Sequence, residues 1–364
     1  MKRARVLHVV VAGDIGGAER LLIDLATRGE ASRAEHEVAL FTPNRDLYTY
    51  LYDAGLKVHD RGKADENPFA FLWRTLGPAD VAWLADLAKR RNVDVLHTHT
   101  FGSHVLGTRA AKRVGKPQLR TEHHVMHYFD PSTSAFTRWA ATRTERFVAV
   151  SDYVKNVIVK AKPDVAARMT VVRNGVDTER WTPRDAKEKD HPFRAAVVCR
   201  LTAWKRVDLA ITAAKKAGVE LWIVGDGEER ENLERFAKKN GASVVFKGFH
   251  SDTRALIAEC DVTLSTAKEE PLGLSVLESL SMARPVVACA TGGIPEIVVD
   301  EKTGFLARSD DEAGVADALS RAKARRADLY AMGAVGHKFA KKECSIEIMC
   351  RGYGDVYASM VEPA

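Results

Sequence analysis

Short runs of apolar, mostly β-branched residues alternate with segments of helical spacing along almost the whole chain. Such runs are typical of strands buried on both faces, and their alternation with helices predicts parallel sheets covered by helices on both sides. A first series of strands is predicted at Val6–Ala12, Glu37–Phe41, Lys57–His59, Val93–Thr98, Gln118–Thr121, Phe147–Val150 and Thr170–Val172. A second series is predicted at Ala195–Cys199, Glu220–Val224, Val244–Lys247, Val262–Ser265 and Pro285–Ala288.

The alternation is interrupted once, at "NGVDTERWTPRDAKEKDHPF", Asn174–Phe193. Its Asn-Gly pair, two prolines and dense charge predict an interdomain linker between domains at 1–180 and 181–344. The spacing of apolar residues from Ile346 to Val356 predicts a final helix, over about 345–364, that we expect to pack back on the first domain. Because open parallel sheets bind ligands at the carboxyl ends of their strands, we expect the two domains to face each other across a cleft.

Composition narrows the class of protein. The chain has 364 residues, 46% hydrophobic and 29% charged, as in globular proteins with more than one core. Its net charge of +6 suits an anionic partner such as a nucleotide, a nucleic acid or a lipid surface. Five cysteines without a C-x-x-C pair favour a reducing, cytoplasmic compartment, and no apolar run approaches the roughly 18 to 20 residues of a membrane span. We interpret the opening "MKRARVLHVVVAG" as a buried strand rather than a signal peptide, so that the mature protein begins near Met1.

The stretch "EEPLGLSVLE", from Glu269 to Glu278, carries the sharpest chemical signal. It predicts a loop that ends at Gly273 and a helix that continues past Glu278. The start of a helix presents unpaired N–H groups and partial positive charge, which together attract phosphate, and Gly273 lets the backbone approach such an anion. Glu270 and Glu278 would then flank a sugar nucleotide. The alternative, that both are ordinary acids at the start of a helix, is equally compatible with this spacing alone.

These residues resemble a known family. "EEPLGLSVLESLSMARPVVA" is similar to the E-x7-E signature of retaining glycosyltransferases of the GT-B fold, particularly glycosyltransferase family 4. The resemblance extends over nearly the whole chain through "GDIGGAERLLIDLA", "RTEHHV", "VAVSDYVKN", "VVRNGVD", "WIVGDGEER" and "TGGIPEIVVDEKTGFL", in the family's order. It implies an α/β protein of GT-B fold, with two Rossmann-like parallel-sheet domains.

The family's phosphate-binding pattern, G-R-x-x-x-x-K-G, is changed here. It appears as "CRLTAWKR", which retains Arg200 and Lys205 but replaces both flanking glycines. A further family glycine, after Glu278, is replaced by Ala283. Arg200 offers a planar fork of donors and Lys205 a mobile point charge, which together suit two adjacent phosphates. Without the resemblance, a pair of surface cations after a strand would be the favoured interpretation. The loop should be stiffer than in the family.

The resemblance implies roles for particular residues. Glu278 would hold the ribose of a donor and Glu270 the transferred sugar, while His123 would lie near that sugar on the opposite domain. The predicted catalytic residues are thus His123, Arg200, Lys205 and Glu270. The predicted donor-binding residues are Gly16, Gly17, Arg200, Lys205, Gly225, Lys247, Glu270, Gly273, Leu274, Ser275 and Glu278.

Histidines near the predicted strand ends raise the question of a metal. "HTHTFGSH" and "EHHVMH" contain His-x-His and paired imidazoles, which are common metal ligands. No Cys or acidic cluster of ligand spacing completes such a site, and no Asp-x-Asp motif is present. We therefore expect cleft-lining histidines and no metal, with Arg200, Lys205 and a helix terminus supplying the positive charge.

The reaction implied is transfer of a sugar from a UDP- or GDP-linked donor to an acceptor hydroxyl, with retention, by a front-face mechanism without cofactor or metal. Domain closure would exclude water. Two alternatives stay open, a sugar-nucleotide epimerase of the same architecture and a non-catalytic nucleic-acid-binding protein. The scattered basic residues and the lack of an aromatic RNA-binding pattern count against the latter, so no nucleic-acid partner is expected.

Acceptor recognition falls to the first domain. "FTRWAATRTERF", with Arg138, Arg143 and Arg146, suggests either a basic amphipathic surface for peripheral contact with an anionic membrane or a helix with a charged outer face. The sequence does not distinguish a glycan, a lipid-linked or a small-metabolite acceptor, nor does it define the donor's sugar and base.

Overall fold

The computed structural model describes residues 3–11, 17–42, 44–62, 77–183 and 191–361. Within them the chain forms two compact units, residues 1–174 with 346–364 and residues 175–345. Each unit contains one sheet whose strands are all parallel. The predicted α/β class with two parallel sheets is confirmed.

The first unit is built on a seven-stranded sheet of order β3-β2-β1-β4-β5-β6-β7. Its strands are β1 Ala4–Val10, β2 Ala34–Leu40, β3 Lys57–Asp60, β4 Val95–Thr98, β5 Gln118–Glu122, β6 Arg146–Ala149 and β7 Met169–Val171. The helices described between them are α1 Gly17–Thr27, α2 Gly29–Ser32, α3 Arg45–Asp53, α4 Pro78–Arg90, α5 Phe101–Val114, α6 Ser134–Ala141 and α7 Asp152–Ala161. The apolar runs of these strands are buried almost throughout, as their composition requires.

The second unit has a six-stranded sheet of order β10-β9-β8-β11-β12-β13. Its strands are β8 Arg194–Val198, β9 Glu220–Val224, β10 Val244–Gly248, β11 Val262–Ser265, β12 Val286–Cys289 and β13 Gly304–Ala307. The helices are α8 Val207–Ala217, α9 Arg230–Asn240, α10 Arg254–Ala258, α11 Leu274–Ser281, α12 Glu312–Ala324 and α13 Leu329–Glu343. Strand β13 was not predicted, because its four residues follow turn-forming residues and begin with a glycine. A Cβ at Gly304 would lie 2.1 Å from the carbonyl oxygen of Val286, so only glycine allows this pairing.

The predicted linker is shorter than its composition indicated. The first unit ends at Asn174 rather than at residue 180, and residues 175–183 pack on the second unit. The Val176 amide donates to the carbonyl oxygen of Cys344 at 2.8 Å, and Trp181 is buried, with its carbonyl accepting from the Ser281 hydroxyl at 2.7 Å. Burial of apolar Val176 and Trp181 therefore moves the boundary toward the amino end. Residues 184–190 of the predicted linker lie outside the described part of the chain.

The final helix, α14 Ile346–Val361, belongs to the first unit. Its buried face, which includes Met349, Tyr353 and Tyr357, packs in one core with residues of β1, β4 and β5. Gly354 allows the helix to approach α2 closely, since a Cβ there would lie 2.6 Å from the Ser32 carbonyl oxygen. None of the described helices combines the length and the apolar character that a transmembrane span requires.

Replacing Gly354 with alanine should destabilise the protein, although the same change inside an ordinary helix stabilises it. The added methyl group would displace the Ser32 backbone, and such overpacking costs about 1–3 kcal/mol. We expect a lower midpoint of thermal unfolding for Gly354→Ala than for the wild type. Asp355→Ala, at the exposed neighbouring position, is the control and should change stability by less than about 0.5 kcal/mol. An unchanged or raised midpoint for Gly354→Ala would contradict the close approach.

Candidate functional site

Two predicted site residues are in direct contact in the second unit. The ammonium of Lys205, in the loop after β8, lies 2.5 Å from a carboxylate oxygen of Glu270, in the loop after β11. Because both strands are parallel neighbours, their carboxyl ends deliver these loops to the same edge of the sheet. Both side chains are less than a third exposed, so the charges meet where water screens them only in part.

Further hydrogen bonds hold these two loops together. The indole N–H of Trp204 donates to the carbonyl of Glu269 at 2.8 Å, and the Lys268 amide donates to the carbonyl of Trp204 at 3.0 Å. The Thr266 hydroxyl lies 3.1 Å from the carbonyl oxygen of Lys205 and 2.9 Å from that of the next residue. Trp204 and Thr266 were not singled out from the sequence, since nothing local to either residue shows which distant loop it contacts. The loop after β8, which carries Lys205, is thus held in place by hydrogen bonds to the loop after β11.

The turn at Gly292 and Gly293 contacts the backbone of Glu270. The Gly293 amide donates to the Glu270 carbonyl at 2.8 Å, and a Cβ at Gly292 would lie 2.1 Å from that oxygen. Gly292 has φ of +60°, in the left-handed region that favours glycine. The glycines of the "TGG" motif are therefore required for packing here, because they let the backbone of this turn approach the backbone at Glu270 closely.

Gly225 has a similar relation to the segment that carries Arg200. A Cβ on Gly225 would lie 1.9 Å from the carbonyl oxygen of Cys199. The Cys199 amide donates to the carbonyl of Val224 at 3.1 Å, which continues the sheet to this point. Arg200 follows with an exposed side chain. Burial raises the pKa of the Cys199 thiol to about 12, so the cysteine that replaces the family glycine is not a thiolate nucleophile at neutral pH.

Helix α11 begins directly after these loops. Gly273 precedes it with φ of +96°, and Leu274 and Ser275 open its first turn half-buried. The amides of this turn are the unpaired donors that could bind an anion. Glu278 lies one turn further on, with 9% of its surface exposed. The structure therefore groups Lys205, Glu270 and the start of α11 in one region of the second unit.

The other predicted donor-binding residues that the structure describes are Lys247 and Gly17. The ammonium of Lys247 lies 3.6 Å from the centre of the Trp222 ring, in a cation–π contact that the sequence did not reveal. Gly17 is the first residue of α1 in the first unit, and Gly16 lies outside the described residues.

His123 follows β5 in the first unit, beside a buried ion pair. Arg120 and Glu122 are 1% and 0% exposed, and an arginine nitrogen donates to the carboxylate at 3.0 Å. The Tyr128 hydroxyl donates to the other carboxylate oxygen at 2.9 Å. Burial alone would raise the pKa of Glu122, but the Arg120 guanidinium and His127 bring it well below its ordinary value. The loop that carries His123 therefore follows directly on a buried ion pair that is fixed by several hydrogen bonds.

Two family models match the chain in succession. The model described as Glycosyltransferase Family 4 matches residues 15–180, and the one described as Glycosyl transferases group 1 matches residues 192–324. The structure of Anabaena Alr3699/HepE in complex with UDP superimposes with a TM-score of 0.85 over 98% of this chain and 100% of that one, at 22% identity. The chain belongs to the GT-B glycosyltransferases. The predicted GT-B fold and the glycosyltransferase assignment are confirmed, whereas membership of family 4 and retention of configuration stay predictions.

Relatives of known name are similar to this glycosyltransferase over part of their length. The lipopolysaccharide core biosynthesis glycosyltransferase LpsE of Rhizobium meliloti is 32% identical over 224 residues, which cover 57% of this chain and 66% of LpsE. The N-acetyl-alpha-D-glucosaminyl L-malate synthase of Bacillus anthracis is 26% identical over 64% of this chain and 66% of that protein. The matches thus span about two thirds of these relatives. The family match favours group transfer over the epimerase and nucleic-acid alternatives.

Two of the glycines that this glycosyltransferase lacks would stand at left-handed positions. Arg206 has φ of +49° and Ala283 has φ of +54°, conformations that cost a non-glycine residue roughly 1–2 kcal/mol. Arg206 gains a compensating contact, since its guanidinium donates to Asp310 at 2.7 Å. The family pattern therefore contains glycine at these positions for a conformational reason, which the sequence alone did not state.

The predicted basic helix of "FTRWAATRTERF" is wrong in part. Helix α6 ends at Ala141 and carries only Arg138 of the three arginines. Arg143 lies in the following turn over the Trp139 ring, at 4.8 Å from its centre, and Arg146 is the first residue of β6. Residues 142–145 separate the end of α6 from the start of β6, so the three cations do not form one helical face.

Replacing Ala283 with glycine should stabilise this protein, against the usual trend. Glycine adopts the left-handed conformation without the steric penalty, which outweighs its larger entropy in the unfolded chain. We expect a gain of up to about 1 kcal/mol in the free energy of unfolding, measured by urea denaturation. Ala331→Gly, at an exposed position within α13, is the control and should lose up to about 1 kcal/mol. Equal losses in both variants would show that the conformation of residue 283 carries no penalty.

Acidification should destabilise the first unit before its carboxylates titrate. Burial lowers the pKa of His36 to about 4 and that of His123 to about 3, and it also lowers the pKa of His8, His97 and His99 well below the ordinary value. Below about pH 6.5 the unfolded chain therefore binds protons at these histidines that the folded chain does not bind. Each such histidine lowers the free energy of unfolding by up to about 1.4 kcal/mol per pH unit. Thermal midpoints should fall between pH 7 and pH 5, equally in the wild type and in His250→Gln, whose histidine is exposed. A midpoint that stays constant over this range would contradict the assignment of neutral buried imidazoles.

Proposed function

We propose that the chain transfers a hexosyl or N-acetylhexosaminyl group from a nucleotide diphosphate sugar to an acceptor hydroxyl, with retention of configuration. The observation that carries this proposal is the contact between Lys205 and Glu270 just before the start of α11. The similar HepE structures contain UDP, and one contains UDP-glucose, which favours a UDP-linked donor for this chain as well.

The positive charge for the leaving diphosphate comes from three sources. An ammonium has three N–H donors, and since Glu270 takes one from Lys205, two are left for phosphate oxygens. The amides of Leu274 and Ser275 add the partial charge of the helix terminus, and Arg200 adds a planar fork of donors. Charge develops on the diphosphate as its bond to the sugar breaks, so donors fixed in advance stabilise the transition state more than the ground state. We propose that these groups suffice without a metal ion or cofactor.

The front-face step balances within the substrates. The bond between the anomeric carbon and the leaving phosphate oxygen breaks, and the acceptor oxygen bonds to that carbon on the same face. The acceptor proton passes to the leaving phosphate oxygen. Glu270 would bind hydroxyls of the transferred sugar, Glu278 those of the ribose, and His123 would contact the sugar from the first unit. No side chain is required as a covalent nucleophile in this scheme.

The acceptor is not defined by these residues. Peripheral contact with an anionic membrane remains a hypothesis, now without the helical face that motivated it. The five cysteines are all free thiols, as expected in the cytoplasm, where we propose that the enzyme acts.

Lys205→Met should reduce kcat/KM for sugar transfer by about 10²- to 10³-fold, because it removes charge that is aimed at the leaving group. Donors would be chosen by screening UDP- and GDP-sugars for thermal stabilisation, which a bound donor produces by linkage. Lys268→Met, which removes an exposed ammonium from the facing loop, is the matched control and should retain activity. EDTA should leave the wild-type rate unchanged.

Two results would count against this assignment. If Lys205→Met transferred sugar as fast as Lys268→Met, the Lys205–Glu270 pair would be structural only. If no nucleotide sugar raised the melting temperature, the donor class itself would be wrong.

A further inference from the structure

Four histidines of the first unit form one continuous chain of hydrogen bonds. His36 Nδ1 lies 2.8 Å from His8 Nε2, and His8 Nδ1 lies 2.9 Å from His99 Nε2. His99 Nδ1 then lies 3.3 Å from His123 Nε2. At the far end, His36 Nε2 lies 2.8 Å from the Ser32 hydroxyl. The chain therefore runs from the end of α2 across β2, β1 and β4 to the residue after β5.

A fifth histidine lies beside this chain without interrupting it. The ring of His97 is 4.1 Å from that of His99 and 4.8 Å from that of His8, centre to centre. Its two nitrogens are each 2.8 Å from a hydroxyl, that of Tyr357 on α14 and that of Thr121 on β5. His97 thus fills the space next to the chain and is held by the final helix.

The lowered pKa values of these four histidines favour the neutral form of each ring at neutral pH. His8 is fully buried, His99 is 4% exposed, and burial lowers the pKa of each histidine of the chain. A neutral imidazole has one N–H donor and one acceptor nitrogen. If one ring donates toward His123, each following ring must donate in the same direction. The tautomer of one member therefore determines the tautomers of all the others.

We propose that Ser32, His36, His8 and His99 are positioning residues that hold His123 in one orientation and one tautomer. Its Nε2 is bound to His99, which leaves Nδ1 as the nitrogen for a ligand. Whether Nδ1 presents a proton or a lone pair depends on which way the chain donates. This inference rests on the proposed function in that His123 is the residue presented to the sugar.

The same cluster could also suggest a metal site, since nitrogens of His8, His97 and His99 lie within 4.8 Å of one another. Those nitrogens, however, already have hydrogen-bond partners at 2.8–3.3 Å. The Arg120 guanidinium acts on His99 and His123 in the direction that disfavours added positive charge. A buried divalent cation would have to break these hydrogen bonds and overcome this repulsion. The geometry therefore favours the hydrogen-bonded chain of histidines over a metal site.

The test uses the full-length protein labelled with ¹⁵N-histidine, and it reads the ring nitrogens of His123 by long-range ¹H–¹⁵N NMR at pH 7.5. In the wild type we expect two well-separated nitrogen resonances, as a single tautomer gives. His36→Leu leaves His8 Nε2 without its partner, so the tautomers should mix and the two His123 resonances should move toward each other. Ser32→Ala, a milder change at the end of the chain, should shift them in the same sense.

His104→Leu is the control, because it too removes an imidazole of the first unit, in this case a fully buried one that is bonded to Thr144 at 2.9 Å, outside the hydrogen-bonded chain. It should leave the His123 resonances unchanged. If His36→Leu and Ser32→Ala both gave wild-type His123 resonances, or if Zn²⁺ bound stoichiometrically to the wild type with loss of the single-tautomer pattern, the inference would be overturned. The NMR readout does not depend on sugar transfer. The inference about His123 can therefore be wrong while the transferase assignment holds, and the transferase assignment can be wrong while the inference about His123 holds.

Discussion

The contact between the Lys205 ammonium and the Glu270 carboxylate is the constraint around which the candidate site at the edge of the second unit's sheet is built. An ammonium and a carboxylate 2.5 Å apart require that two loops, 65 positions apart in sequence, keep a fixed spacing. Hydrogen bonds of the Trp204 indole and the Thr266 hydroxyl fix the distance between the two loops. The Gly292–Gly293 turn fixes the backbone of Glu270 through a separate close contact. Preorganisation of this kind lowers the cost of arranging charge when a diphosphate leaves.

The same rigidity explains how the chain tolerates its departures from the family pattern. Glycine would give the loop at Arg206 its left-handed conformation freely, whereas arginine must be held there. The contacts of Thr266 with the backbone at Lys205 and Arg206, and the bond from Arg206 to Asp310, hold it. Tertiary contacts thus replace the conformational freedom of glycine in this loop, and they keep the Lys205 ammonium in place.

Much of the fold could be predicted because its signals are local. β-Branched runs between turn residues located the strands within a few residues, whereas β13 escaped because Gly304 and its short length are turn signals. For the site, the E-x7-E resemblance identified Glu270 and Glu278, but not the contacts of Trp204. The contacts of Trp204 involve residues more than 60 positions away in the sequence, and the spacing of apolar residues along the chain gives no information about such contacts. Lys247 shows the converse, since a family position gave its place in the chain but not its contact with the Trp222 ring.

The final helix supplies polar partners for buried groups of the first unit. A buried row of imidazoles leaves polar atoms inside a parallel sheet, and each unsatisfied atom would cost free energy. Tyr357 and Tyr353 on α14 satisfy His97 and Thr121 with their hydroxyls while their rings fill the apolar core. A helix with leucines at these two positions would cover the same apolar surface but would leave the polar atoms unpaired. These hydroxyls therefore favour α14 over a purely apolar helix at this position, since they complete the hydrogen bonding of buried polar groups.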